Sequence, residues 1–177
     1  MGSAVDMIAY DMRQKSMKWA DLPKKLKAYI ILLSIIAMPI VIWTLGKIVT
    51  ESYSPGWLLF LALVIISVSL KISIDSAKTT ISIGDAYIMA IGMMYGIAPC
   101  VVATFCHTFL ISVFAKSPKI PTYQIVFNLS STICVAWLYS FVYHRMIGGH
   151  DQILDIVVGS AILTITYFAA NSSLVAI

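Results

Sequence analysis

Charged residues are scarce in this sequence, and their scarcity argues against an ordinary water-soluble domain. Lys, Arg, Asp and Glu together make up 11% of the 177 residues, whereas soluble domains contain about 25%. Hydrophobic residues make up 60%, against roughly 45–50% in soluble domains. So few charges cannot cover a surface in water, so lipid must cover much of it.

Cysteine is also scarce, and its placement excludes a disulfide framework or a zinc centre. Cys100, Cys106 and Cys134 lie inside apolar runs without CxxC spacing, so small apolar filler is their expected role. The sequence lacks a nucleophile elbow, a phosphate-binding loop and an HExxH helix. We therefore predict no catalytic residues, no metal and no cofactor. Nucleic-acid binding is not expected either, because no basic patch is interleaved with aromatic residues.

Six apolar blocks have the length of transmembrane helices, which need roughly 20 residues or fewer where neighbours shelter them. They do not alternate polar and apolar residues as barrel strands do. The blocks comprise residues 27–45, 56–70, 83–98, 99–115, 123–143 and 153–177. We predict an all-α, polytopic transmembrane helical bundle of about six helices over residues 27–177. A basic juxtamembrane arm over residues 1–26 precedes it.

The third and fourth blocks are separated only by the short segment Gly96-Ile97-Ala98-Pro99. Gly ends a helix easily and Pro suits the first turn of the next helix, so this segment predicts a tight helical hairpin. The alternative is one kinked helix over residues 83–115. That helix would be too long to cross a bilayer without extreme tilt.

The cations predict the orientation. The N-terminal arm carries six Lys and Arg residues, and six spans would leave only Lys47 and Arg145 on the opposite side. The cations on the side of the arm are completed by Lys71, Lys78, Lys116 and Lys119. Because Lys and Arg concentrate in cytoplasmic loops, ten against two predicts that both termini are cytoplasmic. The expected location is the inner (plasma) membrane, with the lipid bilayer as partner.

Polar residues recur at helical spacing in the last three blocks. They are Cys100, Thr104, His107 and Thr108, then Asn128, Ser131 and Thr132, then Ser160, Thr164, Tyr167 and Asn171. Polar residues within a membrane tend to face the bundle interior, so these stripes predict a shared pocket for a small-molecule or membrane ligand. The alternative is helix-bridging hydrogen bonds, worth roughly 0.6 kcal/mol each.

Within that hypothesis, the predicted pocket residues are His107, Asn128, Tyr167 and Asn171. The predicted helix cap or polar network comprises Asp85, Thr104, Ser131, Thr132 and Thr164. The imidazole of His107 can change charge near neutral pH, or it can be a satisfied core histidine. Asp85 adjoins the start of the third block, where a carboxylate accepts free amide hydrogens, so helix capping is its expected role. Cation or proton binding is the alternative for Asp85.

Four short motifs follow one another along the chain: Leu22-Pro23, Ser82-Ile83-Gly84-Asp85, Val126-Phe127-Asn128 and Tyr167-Phe168-Ala169-Ala170-Asn171. Their order resembles the membrane-embedded sensory regions of bacterial cyclic-di-GMP signalling proteins. In those proteins a multi-helix membrane region precedes a cytoplasmic GGDEF cyclase or HD-GYP phosphodiesterase domain. The resemblance implies a sensory module in which Asn128 and Asn171 match family positions.

The resemblance also implies that the chain is a fragment, because in relatives the last helix continues into an output domain. Any cyclase or phosphodiesterase activity would then lie beyond Ile177. The sequence does not decide whether the chain forms a homodimer. The alternative function is the substrate-binding subunit of an energy-coupling-factor vitamin transporter, which is also a six-helix bundle of about this size. In this chain the predicted external loops are short. Few aromatic residues, chiefly Trp43, Tyr53 and Trp57, suggest a vitamin site, so the sensory module is favoured instead.

Overall fold

Helices dominate the computed structural model, which describes residues 19–69, 71–74, 79–114, 121–147 and Ile165. Within these residues the five α-helices are α1 Lys24–Thr50, α2 Gly56–Ser67, α3 Ile83–Tyr95, α4 Ile97–Val113 and α5 Thr122–Ile147. The helical class predicted from the sequence is therefore confirmed for this part of the chain. The sixth predicted block, 153–177, lies outside the described residues except for Ile165.

Two short elements were not predicted. A 3₁₀ turn, Trp19–Asp21, precedes α1, and a β-hairpin joins α2 to α3. Strands β1 (Lys71–Ile74) and β2 (Thr79–Ser82) pair antiparallel, with Lys71 opposite Ser82. Because α2 ends at Ser67, the predicted block 56–70 extends past this helix towards the hairpin.

Helices α1 and α5 are the two described helices long and apolar enough to cross a membrane. Helix α1 has 27 residues, so at 1.5 Å per residue it is about 40 Å long, against about 30 Å for the hydrocarbon core. Helices α2, α3 and α4 are also apolar but have 12, 13 and 17 residues. These three need shelter from their neighbours if they lie in a bilayer.

The predicted break between the third and fourth blocks is confirmed at Gly96, the single residue between α3 and α4. Gly96 has φ +95° and ψ −176°, a backbone conformation that is essentially restricted to glycine. Its carbonyl accepts the amide hydrogen of Cys100 at 3.3 Å. Pro99 lies in the first turn of α4, where a missing amide hydrogen leaves no hydrogen bond unmade.

Contacts between helix ends show that α2 and α3 run in opposite directions. A Cβ atom on Gly56, at the start of α2, would lie 2.5 Å from the hydroxyl of Tyr95 at the end of α3. At the other end, a Cβ on Gly84 at the start of α3 would lie 2.6 Å from the hydroxyl of Ser67. The two glycines thus permit close approach at both ends of the pair.

Helices α1 and α5, in contrast, run in the same direction. Their contacts pair residues in matching order: Trp19 with Tyr123 at 6.2 Å and Tyr29 with Phe127 at 6.0 Å between ring centroids, and Ser34 with Ser130 at 3.2 Å between hydroxyl oxygens. An even number of chain reversals therefore separates the two helices.

Helix α4 lies at the centre of the described bundle, since it packs against all four other helices. Its buried residues are Ala98, Pro99, Cys100, Val101, Ala103, Thr104, His107 and Ser112. Helix α1 instead exposes large apolar side chains, among them Ile31, Leu32, Ile35, Ile36, Met38 and Ile42. Exposed apolar surface of this extent is typical of a membrane or protein interface.

Candidate functional site

The fold brings Asp85 and His107 together at the meeting point of α2, α3 and α4. The Nδ1 atom of His107 is 3.8 Å from Oδ1 of Asp85. The imidazole is buried, with 5% of the side chain exposed, whereas 43% of the Asp85 side chain is exposed. The distance is too long for a direct hydrogen bond, but it places a protonated imidazole within ion-pair reach of the carboxylate.

Gly84 makes room for the imidazole. A Cβ atom at Gly84 would clash with Nε2 of His107 as well as with the hydroxyl of Ser67. Ser67 is itself buried and donates its hydroxyl hydrogen to the carbonyl of Val64 at 2.6 Å. The missing side chain therefore lets the imidazole of α4 approach the backbone of α3 beside the end of α2.

A cavity of about 30 Å³ adjoins the pair. Its walls are formed by Asp85, Ile88, Met89, Thr104, His107, Thr108, Thr132, Ala136 and Tyr139. A water molecule needs roughly 10–15 Å³ of such space, whereas pockets for drug-sized ligands measure about 300–1,000 Å³. As the described residues enclose it, the cavity has the size of one or two waters or a small ion.

Hydroxyl groups connect α4 to α5 along this cavity. Thr108 and Thr132 lie 3.1 Å apart between their oxygens. When Thr132 donates its hydrogen to the Asn128 carbonyl at 2.8 Å, Thr108 becomes the donor to Thr132, because each hydroxyl carries one hydrogen. Thr104 donates to the Cys100 carbonyl at 2.9 Å, which leaves its oxygen able to accept a hydrogen bond from a molecule in the cavity.

Helix α3 is hydrogen-bonded to α5 at two levels, one in the wall of the cavity and one beyond it. The buried Tyr139 hydroxyl lies 2.6 Å from Sγ of Cys100 and 3.4 Å from the carbonyl of Ile88. Further along both helices, Nε2 of His144 lies 2.9 Å from the carbonyl of Gly92. These contacts connect α3 and α4 to α5 beside the Asp85–His107 pair and its cavity, which together form the polar centre of the bundle.

The predicted site residues fall into three groups. Those that line the cavity are Asp85, Thr104, His107 and Thr132. Asn128 is half-buried on α5, one turn before Thr132 and outside the lining, and the buried Ser131 donates to the Asn128 carbonyl at 3.1 Å. Thr164, Tyr167 and Asn171 lie outside the described residues, so their place in a pocket stays a prediction.

Sequence reasoning missed Ser67 and undervalued Cys100. Ser67 ends an almost wholly apolar helix, and no periodic pattern distinguishes it from neighbouring residues. Cys100 was interpreted as apolar filler, yet it contacts the Tyr139 hydroxyl. Its spacing of four and seven residues before Thr104 and His107 was the pattern that placed it on the polar face.

A second polar cluster lies at the C-terminal end of α1, at the opposite end of the bundle. Lys47 and Tyr53 both donate hydrogen bonds to the carboxylate of Glu51, Tyr53 at 2.7 Å. These bonds, that of Lys47 first, hold the pKa of Glu51 below its usual value. Partial burial and the bond to Glu51 raise the pKa of Tyr53 to about 12. The cluster is exposed, and it secures the end of α1.

In the described part of the chain, no three His, Cys, Asp or Glu residues lie close enough to bind one metal ion together. Comparison of the chain with protein-family models, curated proteins and solved structures finds no match. The function must therefore be inferred from the geometry of the polar centre and from the distribution of charge and apolar surface.

Proposed function

We propose that this chain is a membrane-embedded signal-input module whose response begins at the Asp85–His107 pair. The observation that carries this proposal is the 3.8 Å separation between a buried imidazole and a partly exposed carboxylate. Imidazole groups change charge between about pH 5 and 8, and the charged form favours closer approach of α3 and α4. A stimulus that alters the charge or hydration of the pair would shift the population of two helix arrangements.

The proposal includes insertion in the inner membrane as a six-helix bundle with both termini in the cytoplasm. The length and apolar character of α1 and α5 support insertion. The parallel direction of these helices supports the topology, because the first and fifth spans would both run outward. The ten-to-two distribution of cations supports the orientation.

The position of the polar centre suits transmission to the cytoplasm. Asp85 follows the β-hairpin by three residues, and the hairpin contains Lys71, one of the cations assigned to the inner side. The contacts of α3 with Tyr139 and His144 would carry a shift of α3 into α5. The regulated output would be a cytoplasmic GGDEF or HD-GYP domain outside this sequence, as the resemblance implies.

The vitamin-transporter subunit is the weaker candidate. The cavity beside Asp85 and His107 measures about 30 Å³, far below the roughly 300–1,000 Å³ expected for a ligand of vitamin size, so the predicted polar residues that the structure describes do not line a vitamin pocket. A cavity of this size favours water, a proton or a small ion as the species that acts on the Asp85–His107 pair.

Hydrogen–deuterium exchange on the full chain in lipid nanodiscs tests the signal-input role. After correction for intrinsic exchange, we expect protection of α3 and α5 to change as the pH is varied, because the imidazole can gain or lose a charge. The titratable side chains of the described cavity wall are Asp85, His107 and Tyr139. His107→Gln should remove the transition, because glutamine keeps hydrogen-bonding groups but cannot be charged.

The matched control is His144→Gln, which removes a histidine that bonds α3 to α5 outside the cavity. Because the His144–Gly92 contact would help to carry the shift into α5, this variant should keep the transition of α3 and its midpoint but reduce the response of α5. A transition that persists unchanged in His107→Gln, or that disappears only in His144→Gln, would show that the Asp85–His107 pair is not the responding element.

A further inference from the structure

Among the described residues, an apolar groove of about 670 Å³ runs between α1 and the start of α5. Its walls are formed by Trp19, Ile30, Ile31, Ser34, Ile35, Met38, Pro39, Ile42, Thr122, Tyr123 and Val126. Trp19 and Tyr123 contact each other with ring centroids 6.2 Å apart, at the end where both helices begin. The groove therefore has an aromatic end and an aliphatic end.

Three lysines lie at the start of α1, near the aromatic end of the groove in the sequence, and Lys27 contacts the turn that contains Trp19. Lys27 lies one helical turn before Ile30 and Ile31 on the same face of α1, and Lys24 and Lys25 are exposed just before it. The Lys27 ammonium donates one hydrogen to the carbonyl of Ala20 at 2.7 Å, which leaves two for another acceptor.

Asp21, in the turn before α1, offsets one of the three lysine charges. The mouth of the groove therefore stays positive and suits an anionic group.

The length of the groove matches one leaflet of a bilayer. The twelve-residue step from Ile30 to Ile42 rises about 18 Å, close to half of a hydrocarbon core about 30 Å thick. We propose that the groove binds one acyl chain of an anionic phospholipid from the inner leaflet, with its phosphate held by Lys24, Lys25 and Lys27. The inference rests on the proposed insertion with a cytoplasmic N-terminus, but not on the Asp85–His107 response.

Charge complementarity selects this occupant. Basic pockets between transmembrane helices on the cytoplasmic side bind anionic lipid headgroups. Trp and Tyr side chains such as Trp19 and Tyr123 are enriched at the level of those headgroups. The aliphatic wall formed by Ile35, Met38 and Ile42 then contacts the acyl chain.

Photo-crosslinking on the full chain in phosphatidylcholine nanodiscs tests the proposal. The probe is phosphatidylglycerol with a diazirine in the middle of one acyl chain, and labelled sites are mapped by mass spectrometry. We expect labels on residues 30–42 and on Val126. Unlabelled phosphatidylglycerol should compete at least roughly tenfold better than phosphatidylcholine with the same acyl chains.

Two pairs of variants separate the acyl-chain contacts from the headgroup contacts. Val126→Trp should fill the groove and abolish labelling of residues 30–42, whereas Leu138→Trp, at an exposed position of α5 outside the groove, should not. The triple variant Lys24→Gln, Lys25→Gln, Lys27→Gln should remove the preference for phosphatidylglycerol. Arg145→Gln, at the far end of α5, should preserve that preference.

Equal competition by the two lipids would overturn the proposal, as would labelling that Val126→Trp leaves unchanged. Cross-links between two copies that exclude the probe from residues 30–42 would assign the groove to a dimer and overturn it too. Protease protection of the same nanodisc sample reports insertion separately. Loss of selectivity in a correctly inserted chain with a normal His107 response would therefore reject the lipid site alone.

Discussion

At the scale of single residues, the polar centre requires that position 84 carry no side chain. His107 occupies space that a side chain at position 84 would take, and Ser67 borders the same space. The sequence predicted that His107 and Asp85 were notable polar residues of the apolar blocks. It did not predict their proximity, because the value of a glycine at this position depends on which helix approaches it.

Gly84→Ala should destabilise the bundle because its Cβ would press on the imidazole and on the Ser67 hydroxyl 2.6 Å away. Overpacking of this kind costs about 1–3 kcal/mol. Gly46→Ala is the control, since a Cβ there would meet nothing within 4 Å in the described part of the chain, and it should be neutral or stabilising by roughly 0.5–1 kcal/mol. Thermal unfolding in detergent measures both. Equal melting temperatures would contradict the close packing at Gly84.

Glu51 offers a residue-scale test of electrostatics, since the sequence contains a single glutamate. Carboxyl-¹³C NMR of glutamate-labelled protein should report a pKa below the usual value, because Lys47 and Tyr53 donate to the ionised form. Lys47→Gln should raise this pKa most and Tyr53→Phe less, while Arg145→Gln should leave it unchanged. Because the folded pKa is lowered, any stabilisation is present above the unfolded pKa and lost as pH falls through the folded one.

At the scale of elements, the break at Gly96 shows what the pattern of residues could and could not predict. Glycine and proline chemistry predicted a turn between two apolar blocks, and Gly96 supplies it. The first residue of the next helix was placed at Pro99 instead of Ile97, because the sequence does not reveal that one residue suffices for the turn. The β-hairpin was missed because its strands have only four residues each.

Gly96→Ala should destabilise the α3–α4 pair through the backbone alone. The nearest atom to an added Cβ is Nε2 of His144 at 3.9 Å, which is an ordinary contact, so steric clash does not contribute. The φ of +95° with ψ −176° costs a non-glycine residue about 1–3 kcal/mol. Gly96→Asn should be no better tolerated than Gly96→Ala, because this region differs from the left-handed helical region that asparagine accepts. Rescue by asparagine in detergent unfolding experiments would contradict this.

At the scale of the whole molecule, the central place of α4 explains how a chain with polar stripes can fold in lipid. Helix α4 carries His107 and Thr104 and packs against every other described helix, so these two buried side chains would be kept from hydrocarbon in the proposed membrane bundle. Composition predicted the helical class and the apolar surface. The arrangement of helices around α4 depends on long-range contacts, which local sequence patterns do not contain.

Cysteine labelling in intact bacterial cells tests the topology of the whole chain. A membrane-impermeant maleimide should label Ser52→Cys, just after α1, but should reach Thr122→Cys, at the start of α5, only after lysis. Both positions are exposed, and the unsubstituted protein gives the background from the native cysteines. The reverse pattern would contradict the predicted orientation. Labelling of both positions in intact cells would contradict the predicted topology, and labelling of neither position before lysis would contradict insertion with the end of α1 outside.

The parallel packing of α1 and α5 also has a consequence for biosynthesis. The hydrogen-bonded residues Ser34 and Ser130 are 96 positions apart, so at 5–20 residues per second the ribosome makes the second roughly 5–20 s after the first. With the proposed insertion, α1 would reside in the membrane during this interval without its partner. Lipid or the insertion machinery would then cover the face of α1 until α5 arrives, and the first contacts of α1 in the cell would be made outside its own chain.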